Sequence, residues 1–274
     1  MRFELESIGG PFGKRLAKRR APFDALDWTE TFDAPPEALV AARIVWTQTA
    51  FSEYASAAAF AEIAAALLAA AAPLDLVAAA GDFVMEETLH CEISARLAMR
   101  SGGAVPLEVD LGKLVRPPRA TKPLLRAAEL LVRTSCVGEA LTLPLLKASQ
   151  KACESPLVSS VLGLIAADES AHAELGPWFL DWAGAELSDE DRAELGVLAG
   201  DAIRAFCPLF GQACTKDAAR LGVPTCSEYD AAFLSALARR VVAPLAARGI
   251  IVPEDAIAEL RRAAGADDAR SARG

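Results

Sequence analysis

Histidine is almost missing from this chain. There are two in 274 residues, His90 and His172, alongside two tyrosines and three methionines. The six cysteines (Cys91, Cys136, Cys153, Cys207, Cys214 and Cys226) form no CxxC pair. That excludes a zinc ribbon, a rubredoxin-type iron centre and a thioredoxin motif. The N-terminus has no apolar h-region, so no secretory signal is expected, and scattered thiols then point to a reducing cytoplasm. A basic stripe is absent too. The net charge is −9 and the pI is near 4.9, which argues against a nucleic-acid surface. The one basic cluster, Lys14-Arg15-Leu-Ala-Lys18-Arg19-Arg20, reads as a solvated terminal segment. No window of about 18 to 20 residues is both uncharged and strongly apolar; Glu62, Pro73 and Asp75 interrupt the alanine-rich stretch 55–80. A buried helix pair, and no membrane span, is expected there.

What is present is alanine and length. Hydrophobic residues make up 53% and mean hydropathy is +0.26, much of it alanine, a strong helix former with little bulk. A chain of this size can bury a large core.

Each histidine has a glutamate three residues before it: Glu87-Thr-Leu-His90 and Glu169-Ser-Ala-His172. On a helix, i and i+3 share a face about one turn apart, so each segment offers a carboxylate and an imidazole to one point. Glutamate fills 21 of 274 positions, so one such pair arises by chance in about 8% of cases and both in well under about 1%. Bundles that hold two iron or manganese ions use two such pairs plus a Glu from each of two other helices. Glu53 and Glu139 are the candidates in the right order. The opposing reading has each His packed in a core while its Glu faces water. The surroundings speak against it: Glu53 lies among Ala, Phe, Ser and Thr, and Glu139 is the only acid in 132–146. A lone carboxylate in an apolar helix is costly unless paired or bound to a cation.

The chain organises around these residues. The segment 1–35 carries Gly9-Gly10-Pro11, Pro22 and Pro35-Pro36 and is expected to be irregular. Helices are expected near 36–71, 75–101, 124–150 and 156–182, joined by a tight turn, a long proline-rich link (104–123) and a short break. Short loop, long crossover, short loop is the connectivity of a ferritin-like bundle. Accessory helices near 188–206, 227–248 and 253–264 follow, and the tail 265–274 is expected to fray. The resulting division is 1–35 lead-in, 36–183 metal-binding four-helix bundle, 184–264 accessory helices and 265–274 tail. The fold class expected is all-α.

Over residues 36–183 or so the set Glu53, Glu87/His90, Glu139 and Glu169/His172 resembles the six-ligand set of the ferritin-like di-iron carboxylate superfamily. Asp168 before Glu169 extends the likeness, with Glu86 in the equivalent place before Glu87. In oxygen-activating members such an acid hydrogen-bonds the imidazole of the opposite pair. The resemblance implies that Asp168 serves His90 and Glu86 serves His172, fixing tautomer and basicity. Departures narrow the choice within the superfamily. Rubrerythrins carry a CxxC domain and an extra carboxylate where this chain has Cys136. Arylamine N-oxygenases carry a third His where Ile165 stands. Ribonucleotide reductase small subunits need a tyrosine beside the metals, and Tyr54 is turned to another face. Bacterioferritin subunits lack the C-terminal extension.

The resemblance implies two iron ions, with manganese as the alternative. Glu53, Glu87 and His90 would hold one, Glu139, Glu169 and His172 the other, and Glu87 and Glu169 would bridge. It implies an oxygen-dependent oxidase or oxygenase acting on a small organic substrate, with reducing equivalents from a separate electron-donor protein or the substrate. Helical neighbours of the ligands place Trp46, Ala50, Cys136, Thr142 and Leu143 as pocket candidates. A monomer or homodimer is the assembly expected of that reading. Competing readings are a ferroxidase or iron-handling subunit, a manganese peroxide-disproportionating enzyme, and a scaffold with a vestigial site.

Overall fold

The computed structural model describes residues 1–209, 216–223 and 226–264. Among these there is no strand; one isolated bridge joins Arg2 to Glu108. The bundle helices are α2 (Pro36–Ala69), α3 (Leu74–Arg100), a third rod made of α4 (Pro123–Leu131), a π-helical segment (Val132–Glu139) and α5 (Ala140–Ala152), and α6 (Pro156–Ala183). Proline opens α2, the third rod and α6 within the first turn, where a missing N–H costs nothing. Ser155 caps α6 by accepting from the Val158 N–H.

The connections at 70–73 and 153–155 are short and the one at 101–122 is long. α2 packs along α3, α5 and the π segment pack along α6, and α3 meets α6. The long link is tied down on both sides. Buried Glu129 accepts from the backbone N–H of Arg119 (2.6 Å) and Ala120 (3.0 Å), and the chain start pairs with it through Phe3 N–H to Leu107 O at 2.8 Å.

Apolar residues fill two layers. One holds Phe60, Ile63, Phe83, Leu130, Leu141, Leu175 and Phe179; the other holds Trp46, Ile93, Leu97, Val161, Leu162 and Ile165. On α2, α3 and α6 the polar residues 53, 87, 90, 169 and 172 fall between the two layers.

Three expectations change. First, 1–35 is not wholly irregular: α1 spans Gly10–Asp24. Gly9 and Gly10 adopt positive φ (67° and 66°), and Pro11 then sits in the first turn, so the Gly-Gly-Pro run opens a helix where it reads as a loop. Second, the basic cluster is not simply solvated. Arg19 pairs with Asp82 and Arg20 with Glu92 on α3, and with Asp24 at 2.9 Å. Exposed ion pairs contribute little; the buried Phe23 does more to hold α1 down. Third, α2 is not buried all round. Val40, Ile44, Tyr54 and Leu68 are exposed, because an alanine-rich helix is apolar on every face while only its inner stripe reaches the core. It is the one described helix long and apolar enough to cross a membrane by length and composition.

Beyond the bundle, α7 (Asp189–Arg204) begins with a capping box between Ser188 and Asp191. It is followed by α8 (Lys216–Ala219), α9 (Cys226–Ala236) running through a π segment (Leu237–Val242) into α10 (Ala243–Ala246), and α11 (Glu254–Ala263). Cys91, Cys136, Cys153 and Cys207 are free thiols. Cys214, the side chain of Cys226 and the tail 265–274 lie outside the described residues.

Candidate metal centre

Four helices aim carboxylates and imidazoles at one buried point. α2 supplies Glu53, α3 supplies Glu87 and His90, the π segment ends on Glu139, and α6 supplies Glu169 and His172. Ligand atoms of Glu53, Glu87, His90 and Glu169 all lie within 4.8 Å of one another. His172 joins them with its Nδ1 3.0 Å from Glu87 Oε1 and 3.0 Å from Glu169 Oε2. His90 Nδ1 lies 3.2 Å from Glu169 Oε1 and 3.9 Å from Glu87 Oε2. Each of Glu87 and Glu169 therefore turns one oxygen toward each imidazole. Glu139 is buried beside Glu169, and Glu53 lies beside Glu87.

The outer edges of the two rings are also held. Asp168 Oδ2 stands 3.1 Å from His90 Nε2, and Glu86 Oε2 stands 2.9 Å from His172 Nε2. Both acids reach across from the facing helix: one residue before a ligand is about 100° around the helix from it. Each Nε2 thus has a carboxylate acceptor, and each Nδ1 points inward. That is the tautomer a metal ligand needs.

The charges are in tension without a cation. Burial, then the negative Glu169, pushes Glu87 and Glu139 well above the ordinary carboxylate range, and Glu53 is raised for the same reasons. Burial also opposes ionisation of Glu169, but the hydrogen bond with His172 and the nearby His90 ring overcome it and hold the group at about 2. Burial works against protonating His172, yet its bonds to Glu169 and Glu86 raise it to about 10; His90 is raised by Asp168 and Glu169 against the same opposition. In the metal-free protein, protons do the work of cations. Loading a divalent ion displaces them.

The surroundings are dry and tight. Phe83 and Phe60 lie 4.2 and 5.1 Å from the His172 ring, and Phe23 lies 6.4 Å from His90, centroid to centroid. These aromatics were not legible as site residues, although Phe83 sits one turn before Glu87. Ser135 in the π segment donates to the His172 carbonyl, and its Oγ accepts from the Gly176 N–H at 2.8 Å. Gly176 is required for that approach. A Cβ there would stand 2.5 Å from Cys136 Sγ and 3.2 Å from the Leu131 carbonyl oxygen.

The pocket candidates divide. Ala50 lines a cavity of about 420 Å³ between α2 and α3, floored by Thr47, Ala95 and Ala98 and roofed by residues 2–5, 104 and 105. Trp46 is instead fixed in the core with its indole donating to Leu221 O at 3.2 Å, while Cys136 and Leu143 are buried and line none of the described cavities. All three are covered by neighbouring parts of the chain. Thr142 is half-buried. Tyr54 stacks edge-on with Phe3 at 5.5 Å, away from the ligands.

The residues present fit a metal. Both Glu87 oxygens and His90 Nδ1 are buried without a hydrogen-bond partner, the state left when the natural partner is an ion. The donor set, carboxylate oxygen and imidazole nitrogen, suits iron or manganese over softer ions. This buried group of Glu and His residues can hold a metal ion. In comparisons with known proteins, no family model, no curated protein and no solved structure matches this chain.

Proposed function

We propose that the chain is a non-haem di-iron oxidase or oxygenase of ferritin-like topology that uses dioxygen to oxidise a small organic molecule. The observation that carries the reading is the arrangement of the two rings. Each imidazole points Nδ1 at two glutamates that also face the other imidazole, and each is braced at Nε2 by an acid from the opposite helix. Glu53, Glu87 and His90 would hold one iron and Glu139, Glu169 and His172 the other, with Glu87 and Glu169 shared. Four carboxylates against two divalent ions leave the core neutral, which removes the cost of burying the glutamates.

Iron held by these residues would supply the binding and reduction of dioxygen. The chain supplies the rest. Asp168 and Glu86 fix ring orientation and keep the Nε2 protons in place. Phe60, Phe83 and Phe23 exclude water from the imidazoles. Access falls on the α2 side: Glu53 is the one ligand of the six that is not fully buried, and the adjacent stretch 55–59 is half-exposed alanine and serine. The cavity at Ala50, one turn from Glu53, has room for a small, largely apolar molecule. Cys91 and Cys136 are pushed up to about 12 by burial and stay protonated, so electrons come from a separate donor protein or from the substrate.

The test begins with metal analysis of protein loaded with ferrous ion without oxygen. Two equivalents per chain are expected; zero or one rejects the dinuclear reading. Rapid mixing with oxygen should then give a transient absorbance whose decay quickens with the right organic substrate. Oxygen uptake only with excess ferrous ion, ending in a mineral core, replaces this reading with iron storage.

A further inference from the structure

A second site lies outside the metal cluster, where the 101–122 link, the π segment and α7 meet. Arg116, Arg119 and Arg133 line a cleft of about 280 Å³ whose other walls are Leu198, Asp201, Ala202, Ala205 and Phe206. The volume is close to the lower end of small-molecule pockets, roughly 300 Å³. Three arginines converge here in a chain whose net charge is −9. Arg133 is half-buried at the floor, with its guanidinium donating to the Arg116 carbonyl; Arg116 and Arg119 stand exposed at the rim.

The local acids do not balance them. Asp201 lies 3.7 Å from Arg119 but also 3.3 Å from Arg204, so it is shared. The Glu129 carboxylate is used by the backbone N–H groups of Arg119 and Ala120. Among the described residues neither Arg116 nor Arg133 has a carboxylate within 4.0 Å. Partial burial, then the like charges of Arg116 and Arg119, lowers the Arg133 pKa, and the nearby Glu129 and Asp201 offset this only in part. An oxyanion would relieve that repulsion. Guanidinium groups bind oxyanions through paired, charge-assisted N–H bonds. Apart from Asp201, the rest of the lining (Leu198, Ala202, Ala205 and Phe206) is apolar, so it suits a body with little polarity. We propose that this cleft binds a small organic anion: a carboxylate, sulfonate or phosphate ester carried on an apolar or aromatic body, with Arg133 as the principal contact and Arg116 and Arg119 closing over it.

The probe is benzenesulfonate, a poor iron ligand that will not report on the metal centre. Calorimetric titration of the metal-loaded full chain should show saturable binding, with benzenesulfonamide (neutral, same shape) and inorganic sulfate (charged, no apolar body) each at least about tenfold weaker. Arg133→Gln should weaken benzenesulfonate by about tenfold or more, and Arg116→Gln by less, with metal content and helical circular dichroism unchanged. Added salt should weaken it further, as the contacts are partly exposed. No binding of benzenesulfonate overturns the proposal. So does equal binding of benzenesulfonamide, equal binding of sulfate, or wild-type affinity in both variants. If Arg133→Gln does not fold, Arg116→Gln decides alone, because its side chain is exposed and supports no core contact.

Discussion

Removing the acids behind the histidines should weaken metal binding by amounts that the structure ranks. Asp168 and Glu86 hold Nε2 of His90 and His172 at 3.1 and 2.9 Å, and their side chains are 37% and 23% exposed. Loss of such an outer partner typically costs 10- to 100-fold in metal affinity, about 1.4 to 2.7 kcal/mol. Water can replace Asp168 more readily than Glu86, since Asp168 is the more exposed and its bond is the longer. Asp168→Ala should therefore fall near the tenfold end and Glu86→Ala nearer the hundredfold end. Asp168→Asn keeps an oxygen acceptor and loses only charge, so it should cost less than Asp168→Ala. The assay is anaerobic competition for ferrous ion against a chromophoric chelator, with circular dichroism as the fold control. Alanine variants that both match wild type refute the bracing argument, as does a larger loss at Asp168 than at Glu86.

Glu139→Gln should abolish the second metal equivalent while leaving the metal-free protein at least as stable at neutral pH, because it removes a carboxyl that is costly to ionise when buried; a drop in metal-free Tm counts against this. The metal-free protein should lose stability as pH rises. Glu53, Glu87 and Glu139 sit above their ordinary 4.5, and His90 and His172 above 6.5, so the fold holds protons that the unfolded chain has released from about pH 4.5 upward, with the His172 contribution lost only through about 10. Glu169, at about 2, acts in the opposite sense only below 4.5. Metal-free Tm should thus be lower near about pH 9 than near about pH 5.5, and a rising Tm over that range contradicts the charge argument. Gly176→Ala should cost roughly 1 to 3 kcal/mol and impair metal loading, since its methyl meets Cys136 and the Leu131 carbonyl; thermal melts and metal content read it together.

Much of the site was legible because its chemistry rides on a fixed spacing. Glu-x-x-His places two donors on one helical face whatever surrounds it, and Glu53 and Glu139 stood out as acids in apolar runs. The structure brings Glu53, Glu87, His90 and Glu169 within 4.8 Å of one another, with His172 bonded to Glu169. What spacing cannot reveal is which residues on the same face are covered by another helix. Trp46 and Leu143 share faces with ligands and yet are core, one bonded to the Leu221 carbonyl from far along the chain. Nor does local sequence separate a loop from a short helix when both begin with glycine and proline, which is why α1 reads as irregular until Phe23 is seen to be buried. The π segment has no local sequence signature either; it follows from how the third rod fits against α6.

Pro177 follows Gly176, a point where the third rod comes close to α6. A proline within α6 has no N–H for the Ala173 carbonyl, and its ring crowds that carbonyl, so the helical ladder is weakened one turn after His172. The break lies one turn from the ring that Glu87 and Glu169 both face. On the turn before it, Ser135 donates to the His172 carbonyl and accepts from the Gly176 N–H, so one hydroxyl sits between two groups that an unbroken α-helix would pair with each other. For the hydroxyl to reach, the third rod must come close, which Gly176 permits. Ser135, Cys136 and Glu139 must also share the face toward α6, and the π-helical segment is the stretch that carries all three. π-helical turns are rare and concentrate at functional sites. Here the segment joins two tasks: Ser135 ties it to the His172 carbonyl and the Gly176 N–H of α6, and its last residue is Glu139.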